Sequence, residues 1–294
     1  MLNYKTAPLG SNKTYSVSLI DKKLSIQGSN ELHLQLDGQN CYSIDTDIET
    51  RAVAIEALFA ADSSLNQLTI NGEIISRDSF YQLPTLWLRD KTNEESTLFP
   101  KRPPHFHGVH YKRFIPAINK TIKFRTISLA DLDIFHEWHN QKRVAFFWEL
   151  NQEKEELEKY IKDGLDKKHQ IPMIVELDDT PVGYFEFYWV KEDRLGPYYD
   201  ARPYDRGFHF LIGNKRFLGK ANTDAITHSA LHFIYLDDQR TDYVMAEPRY
   251  DNNKVLKYAD ETIGWDALKV FDFPHKRAVL LQNTRTRFFK GARL

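Results

Sequence analysis

The chain has 294 residues, which is long for one hydrophobic core and sufficient for two domains. Its 40 Lys and Arg balance 41 Asp and Glu, and the net charge of -1 excludes a global basic field for nucleic acid or anionic lipid. One cysteine, Cys41, excludes an intramolecular disulfide and fits a reducing compartment. The start lacks a secretory-signal profile, and no apolar run approaches the roughly 18 residues of a membrane helix. We therefore expect a cytoplasmic protein that binds small molecules, with neither nucleic acid nor a membrane as partner.

The first third of the chain is predicted to be a small α+β unit. Residues 15–36 alternate apolar and polar side chains in short runs separated by turn-forming residues, which predicts a meander of β-strands. Residues 50–61 carry apolar side chains at helical spacing, and a further strand is predicted over 65–70. We assign residues 1–95 to an N-terminal domain, which shows no chemical signature.

The stretch after this domain is predicted to be a connector, residues 96–118. Residues 91–116 are rich in charges and contain four prolines, which favours extended backbone. His105, His107 and His110 have a spacing that suits a metal, but the acidic or thiolate partners expected nearby are missing from the sequence. We predict no metal site and a loop that packs on the following domain.

Residues 119–294 show a different pattern, in which predicted helices and strands are interspersed. Ser128 and Asp131 form a Ser-x-x-Asp capping box that opens a helix to about Asn140, and Asn151 is predicted to cap a second helix. The other predicted elements are strands over 122–125, 171–177, 180–190, 206–213, 243–247, 268–271 and 277–282, and helices over 222–235 and 253–263. This order predicts an α/β (α+β) domain, a mixed sheet with helices on both faces.

The segment after the strand over 206–213 carries a chemical motif. Arg216, Gly219 and Ala221 form an Arg-x-x-Gly-x-Ala pattern that leads into a helix. A tight turn from a strand into a helix aims successive backbone N–H groups outward, where the helix dipole also favours an anion. Small residues at 219 and 221 let a diphosphate approach the backbone. The motif predicts a phosphate-binding loop, with an ordinary helix entry as the alternative.

Longer segments carry a resemblance to a known family over about residues 101–290. They include Phe135-His136-x-Trp138-x-Asn140, Arg143-Val144-Ala145-x-Phe147-Trp148-Glu149, Gly183-Tyr184-Phe185-Glu186-x-Tyr188-Trp189, Tyr204-Asp205-Arg206-Gly207-x-His209, Glu247-Pro248-Arg249 and Phe271-Asp272-Phe273-Pro274-His275-Lys276-Arg277. With the phosphate loop, they resemble the GNAT-fold acyltransferases of hydroxamate siderophore biosynthesis, of the aerobactin, rhizobactin and alcaligin type. The first 100 residues match that family loosely.

The resemblance implies a GNAT acyltransferase fold and a reaction. An acyl group, expected to be acetyl from acetyl-CoA, passes in a ternary complex to the nitrogen of an N-hydroxylated diamine or N-hydroxylysine, without a metal or a covalent enzyme intermediate. A hydroxylamine is less basic than an alkyl amine and is largely neutral near pH 7, so the reaction needs positioning and modest base assistance. The expected partners are acyl-CoA and a small hydroxylamine acceptor, and homodimerisation stays open.

The catalytic residues are expected around the strand that precedes the loop. His209 is predicted to take the proton, directly or through a water, although a packed core histidine is the alternative. Asp251 and Glu247 are candidates to orient His209 or to act as the base, and for Asp251 a helix-capping role is equally open. The tyrosine that protonates the leaving thiolate in many GNAT enzymes is replaced by Asp260, and Tyr258 is a poor substitute.

The ligand contacts follow from the same resemblance. We predict CoA contacts from the loop and its flanks, namely Leu211, Gly213, Lys215, Arg216, Phe217, Leu218, Gly219, Lys220, Ala221 and Asn253. We predict an acceptor pocket formed by Trp138, Asn140, Phe147, Trp148, Glu186, Tyr188, Trp189 and Arg194. Glu186, Asp193 or Asp200 is expected to pair with a distal ammonium, and Arg194 or Arg206 with a carboxylate. Core packing or solvated turns explain the same residue types.

Two other functions fit parts of the sequence. The first is an acetyltransferase for another amine, such as an aminoglycoside, which predicts several acidic side chains along a wide cleft. The second is a catalytically silent GNAT-like module that binds acyl-CoA or a synthetase partner.

Overall fold

The computed structural model describes residues 2–20, 23–28, 31–35, 40–88, 102–104, 106–262 and 264–291. Its N-terminal part contains two small sheets and two helices. The elements are β1 (Leu2–Thr6), β2 (Tyr15–Ile20), β3 (Lys23–Gln27), β4 (Glu31–Gln35), β5 (Cys41–Tyr42), α1 (Ile48–Ala61), β6 (Gln67–Ile70), β7 (Glu73–Ser76) and α2 (Arg77–Phe80). Strands β1 to β4 form an antiparallel meander, and β5 to β7 form a second sheet. The predicted strand meander is confirmed.

The rest of the described chain is built on one mixed sheet. The elements are β8 (Val109–Ile115), β9 (Lys120–Thr126), α3 (Leu132–His139), α4 (Lys142–Trp148), α5 (Lys154–Asp166), β10 (Gln170–Leu177), β11 (Thr180–Trp189), β12 (Arg206–Ile212), α6 (Lys220–Asp237), β13 (Tyr243–Ala246), α7 (Asn253–Glu261), β14 (Trp265–Asp272), β15 (Arg277–Thr284) and α8 (Arg285–Gly291). The strand order is β14-β15-β13-β12-β11-β10-β9-β8. The expected α/β architecture is confirmed.

The pair β12 and β13 determines where a site can form. These neighbours run parallel and are paired through Arg206 with Val244 and Gly207 with Met245, whereas the other neighbours in this sheet are antiparallel. Strand β12 continues to Ile212 on its β11 side, but its described pairing with β13 stops at Gly207. A wedge therefore opens between β12 and β13, and His209 lies on β12 beside that opening.

Helix boundaries show how far local signals determined the fold. The capping box of Ser128 and Asp131 is present, and α3 ends with Asn140 as its C-cap. Asn151 does not cap α5: the N-cap is Glu153, and the first turn then carries acidic side chains that suit the helix dipole. The prediction for Asn151 was wrong by two residues. Helix α4 was not predicted, because seven residues are too few for a helical period of apolar side chains to be recognised.

The predicted connector contains a strand. Strand β8 pairs with β9 at the edge of the large sheet, although the average composition of residues 91–116 indicated a loop. His110 is buried there, and its Nε2 lies 2.9 Å from Thr126 Oγ1, while His107 is exposed. His105 and residues 89–101 lie outside the described residues. The domain bounds at residues 95 and 118 stay a prediction.

The N-terminal elements pack against the large sheet and α6. Arg113 of β8 and Glu56 of α1 form a buried ion pair with 3.7 Å between Nε and Oε1. His232 of α6 lies between the carbonyl oxygen of Tyr81 and the hydroxyl of Tyr111. One cluster of buried apolar side chains includes residues from both parts. The N-terminal part therefore supports the face of the sheet that carries α6.

No helix among the described residues combines the length and the apolar character that a bilayer span requires.

Candidate active site

A cleft of about 610 Å³ follows the wedge between β12 and β13. Its walls come from α4, α5, β12, the segment after β13, α6 and α7. The residues that line it include Phe147, Trp148, Glu149, Tyr160, Glu186, Arg194, Phe208, His209, Phe210, Thr223, Ala246, Glu247, Arg249, Asn252, Lys254, Tyr258, His275 and Lys276. The cleft thus joins the first turn of α6 to the polar side chains around His209.

His209 lies between two buried carboxylates. Its Nδ1 is 3.1 Å from Glu186 Oε2, and its Nε2 is 2.9 Å from Glu247 Oε1. Glu186 lies opposite His209 in the pairing of β11 with β12, and Glu247 follows the last residue of β13. The side chain of His209 remains 18% exposed, so it is accessible from the cleft. A ring that donates to both carboxylates carries two protons and is an imidazolium.

The charges of this group are strongly coupled. Burial disfavours a charged imidazole, but attraction to Glu247 and hydrogen bonds to Glu186 and Glu247 outweigh burial and raise the pKa of His209 to about 9. Burial also opposes ionisation of both carboxylates. The hydrogen bond from His209 nevertheless lowers the pKa of Glu186, and attraction to His209 lowers the pKa of Glu247. The resting state near pH 7 is therefore an imidazolium between two carboxylates.

Further donors satisfy the two carboxylates. Tyr160 and Tyr184 donate to Glu186 Oε1 at 2.5 and 3.1 Å. Tyr188 donates to Glu247 Oε2 at 3.1 Å, and its ring lies 4.7 Å from that of His209. Both carboxylates are thus held in place by hydroxyl donors in addition to His209.

Two cations complete the surroundings of Glu247. Arg194 Nη2 lies 3.4 Å from Glu247 Oε1 and 3.2 Å from His209 Nε2. Because both nitrogens of a doubly protonated ring are donors, Arg194 donates to the carboxylate of Glu247. Lys276 Nζ donates to the main-chain oxygen of Glu247 at 2.8 Å and is 3.5 Å from its Oε1. The Arg194 side chain is half exposed, so part of its guanidinium faces the cleft.

The turn into α6 has part of the geometry that a phosphate loop requires, and binding of a phosphate there stays a prediction. Gly219 has a φ of +134°, a conformation that favours glycine, and caps α6. The first amide that bonds back is that of Thr223, which donates to Gly219 O at 3.0 Å. The amides at 219–222 thus precede the hydrogen-bonded part of the helix, where the dipole favours an anion.

The amides of the loop residues before Gly219 donate hydrogen bonds within the protein. Those of Arg216, Phe217 and Leu218 donate to Asn214 Oδ1, Asn214 O and Lys215 O. The side chains of Lys215, Arg216, Leu218, Lys220 and Ala221 are exposed around the turn. The run of amides that could face an anion is therefore shorter than the sequence indicated, and the positive charge around it comes from side chains.

Some predicted site residues lie in the cleft and others do not. His209, Glu247, Glu186, Arg194, Phe147 and Trp148 line it. Asp251 is exposed and binds Arg249 through two 3.0 Å hydrogen bonds, so Glu186 and Glu247, rather than Asp251, contact His209. Asn252 caps α7, and Asn253 is the exposed first residue of that helix. Asp260 is exposed, whereas Tyr258 lines the cleft and donates to Asp224 at 2.7 Å.

Several predicted pocket residues instead support its walls. Trp138 is buried against Gly213, where a Cβ would come within 2.1 Å of the indole, and Leu211 belongs to the same buried cluster. Asn140, the C-cap of α3, donates to the main-chain oxygens of His136 in α3 and of Gln152 just before α5. Tyr188 is fully buried. These side chains pack behind the residues that line the cleft.

The arginines and acids proposed to bind substrate charge are mostly engaged. Trp189 lies between the guanidinium groups of Arg102 and Arg206, at 4.2 and 4.0 Å. Arg206 is fully buried and paired with Asp237 at 2.9 Å, so it does not reach the cleft. Asp193 accepts from the amide of Leu195. Among the two arginines expected to bind a carboxylate, Arg194 is the one that lines the cleft.

Sequence reasoning missed Tyr160 and Lys276. The sequence predicted the helix that carries Tyr160, but it assigned no role to the hydroxyl of this residue. Lys276 belonged to a recognised segment, but its distance of 29 residues from Glu247 hid the contact. A tyrosine on an otherwise aliphatic helix face was a usable signal.

Comparisons with known proteins agree with this fold. Residues 128–273 match the Acetyltransferase (GNAT) domain family. The N(6)-hydroxylysine O-acetyltransferase of Escherichia coli is 36% identical over 75% of this chain and 73% of its own length. The N(5)-hydroxyornithine:cis-anhydromevalonyl coenzyme A-N(5)-transacylase SIDF of Beauveria bassiana is 37% identical over 69% of this chain, which spans 45% of that protein.

A solved structure shares the fold. The aminoglycoside acetyltransferase AAC(6')-Ib in complex with coenzyme A aligns with a TM-score of 0.52 over 58% of this chain and 98% of its own, at 20% identity. The mixed sheet, the wedge and the helix start beside it define a GNAT-fold acyltransferase. Within that class, the chain belongs to the GNAT acyltransferases of siderophore biosynthesis, and it is an N-acyltransferase. The resemblance of the sequence motifs is thereby confirmed.

Proposed function

We propose that the protein transfers an acetyl group from acetyl-CoA directly to the nitrogen of an N-hydroxylated amine, with both substrates bound in the cleft. The observation that carries this proposal is the position of His209 between Glu186 and Glu247, in a cleft that continues to the start of α6. One continuous cleft can hold a thioester and an acceptor side by side, as direct transfer requires.

The donor diphosphate would bind at the amides of residues 219–222. Gly219 leaves the space in front of these amides open, since no atom lies within 4 Å of the position of a Cβ. Lys215, Arg216 and Lys220 are exposed around the same turn and add positive charge. Solvent-exposed charges of this kind support binding of a phosphate group at low cost in desolvation.

In the chemical step, the acceptor nitrogen forms a bond to the thioester carbonyl carbon, and the carbon–sulfur bond then breaks. The nitrogen loses its proton to His209, and coenzyme A leaves as a thiolate that takes up a proton. The product is a hydroxamate. Glu186 and Glu247 orient the ring and stabilise the imidazolium that forms.

The pKa of about 9 determines how much base is present. At pH 7, about one molecule in a hundred carries neutral His209, but a base of this strength drives proton transfer well. A hydroxylamine is a neutral nucleophile at that pH, so His209 need not deprotonate an ammonium before the attack. A small fraction of neutral His209 is therefore sufficient for a hydroxylamine acceptor.

The charge of the cleft supports a small acceptor over an aminoglycoside. Its lining includes the basic side chains Arg194, Arg249, Lys254 and Lys276, and the acidic side chains Glu149, Glu186 and Glu247. Two of the three acids are already used by His209 and its neighbours. A polycationic antibiotic calls for more free carboxylates. The names of the two relatives, which specify hydroxylysine and hydroxyornithine, support the same choice.

The proposed function also bears on the location and assembly of the protein. Use of acetyl-CoA and a single exposed cysteine support the cytoplasm. A homodimer remains a prediction.

The test is a thiol-release assay with acetyl-CoA and succinyl-CoA. Each N-hydroxylated acceptor, N6-hydroxylysine, N-hydroxyputrescine or N-hydroxycadaverine, is compared with its unhydroxylated parent. We expect release with acetyl-CoA and a hydroxylated acceptor, with a hydroxamate as product. Equal rates with the parent amines would overturn the proposal.

A further inference from the structure

The cleft contains one carboxylate that the reaction scheme does not use. Glu186 and Glu247 are buried and satisfied by His209 and by hydroxyl donors. Glu149, the third acid in the lining, is exposed, and in the described part of the chain its carboxylate has no hydrogen-bond or ion-pair partner. A charged group of this kind in a binding cleft is available to a ligand.

The backbone of Glu149 is also unusual. It terminates α4 in the left-handed conformation, with φ of 55° and ψ of 31°. Side chains other than Asn, Asp and Gly rarely adopt this conformation. The other non-glycine residues with positive φ in the described chain are Asn40, Asn71, Asn119, Asp178 and Asp179. Glutamate thus stands where a residue of lower conformational cost would fit, which points to a use for its carboxylate.

The nearest positive groups do not neutralise this charge. Arg249 is close enough to attract Glu149, but its guanidinium is engaged in two hydrogen bonds to Asp251. Burial, followed by repulsion from Arg194 and Lys276, lowers the pKa of His275, so that His275 is uncharged near pH 7. Glu149 therefore keeps a net attraction for a cation.

The position of Glu149 relates it to the reacting end of the cleft. It directly follows Trp148, whose ring centroid lies 6.4 Å from that of His209. An acceptor that presents its hydroxylamine to His209 and passes the indole brings its far end toward the carboxylate of Glu149. An aromatic wall beside a carboxylate is a favourable environment for an ammonium group.

We propose that Glu149 binds the ammonium group at the far end of the acceptor and makes the enzyme selective for hydroxylamines that carry one. This inference rests on the proposed function and identifies a residue that determines its specificity. Glu186, the counter-ion expected from the sequence, cannot serve in this way, because its two oxygens already accept from His209, Tyr160 and Tyr184.

Matched acceptors test the assignment. N6-Hydroxylysine is compared with 6-(hydroxyamino)hexanoic acid, which lacks the α-amino group, and N-hydroxycadaverine with N-pentylhydroxylamine. The wild-type protein should show a higher kcat/KM for the ammonium-bearing member of each pair. In Glu149→Gln this value should fall about tenfold, with little change for the acceptor without an ammonium. Glu149→Asp keeps the charge and should restore part of the preference.

Two controls separate binding from folding. Glu155→Gln removes an exposed acid of α5 that does not line the cleft, and it should leave all four values unchanged. Glu149→Asn relieves the backbone conformation while removing the charge, and it should behave as Glu149→Gln does. If Glu149→Asn kept the preference, or if Glu149→Gln lowered all four acceptors equally, the assignment would be overturned.

The outcome also separates this inference from the proposed function. Failure of every hydroxylamine with the wild-type protein would refute the function itself. Transfer without a preference for an ammonium would refute the role of Glu149 alone.

Discussion

Arg143 of α4 donates a hydrogen bond to the main-chain oxygen of Gly213 at 2.8 Å. The same nitrogen donates to Ile212 O at 2.6 Å, and Gln141 also donates to Gly213 O, at 3.0 Å. Gly213 directly follows β12 and begins the segment that leads to the predicted phosphate loop. The helix that carries Phe147 and Trp148 is therefore attached to the strand end from which the loop starts.

Replacement of Arg143 should affect both substrates. Arg143→Gln removes two of the three hydrogen bonds that attach α4 to the start of the loop and leaves the one from Gln141, so the attachment is weakened. We expect the KM values for acetyl-CoA and for the acceptor to rise together, each about tenfold, in steady-state assays. Lys142→Gln, at the exposed neighbouring position, is the control and should keep both values. A rise in the acceptor KM alone would contradict the attachment.

The pH dependence of the reaction tests His209 as the base. Because the neutral ring is the active form and its pKa is raised to about 9, kcat/KM should increase with pH from 7 and level off above about 9. Glu247→Gln removes a carboxylate that stabilises the imidazolium, so the increase should move to lower pH. His209→Ala should lower turnover roughly 100-fold. A value of kcat/KM that decreases through pH 9 would assign the active role to the imidazolium instead.

Gly219 should be essential for binding of the donor. A valine at this position would have to adopt a φ of +134°, and its side chain would occupy the space in front of the amides at 219–222. Gly219→Val should raise the KM for acetyl-CoA about tenfold or more. Gly10, which also has positive φ and open space around it, provides the control. Gly10→Val carries a comparable backbone strain and should leave this KM unchanged.

The buried pair of Arg113 and Glu56 should be costly to break from either side. Glu56→Leu leaves the guanidinium of Arg113 without its partner in the interior, and Arg113→Met leaves Glu56, whose pKa burial already raises to about 7, to take up a proton. Each should lower the free energy of unfolding by about 3 kcal/mol at pH 7. The double variant should lose less than the sum, as measured by urea denaturation. Lys154→Met, in the exposed pair with Asp133, should cost below about 1 kcal/mol. Additive losses would show that the two charges act independently.

Much of the fold was predictable because its signals are local. A capping box acts over three residues, the turn of Asp178 and Asp179 between β10 and β11 over two, and strand alternation over a few more. The phosphate loop has the same character, since Gly219 is followed at once by the first turn of α6. Boundaries failed where two local signals compete, as at Asn151 and Glu153.

By itself, the sequence determined the family, most of the order of the elements and the turn at Gly219, and it identified His209 as the candidate base. The tertiary structure decided which carboxylates meet that histidine, because Glu186 and Glu247 lie 23 and 38 residues away along the chain and reach it through strand pairing and the end of β13. It also decided that Asp251 pairs with Arg249 and that the carboxylate of Glu149 has no hydrogen-bond or ion-pair partner among the described residues. Contacts between distant segments depend on the register of the strands and on the packing of the elements, and neither can be predicted from the spacing of residues within one segment.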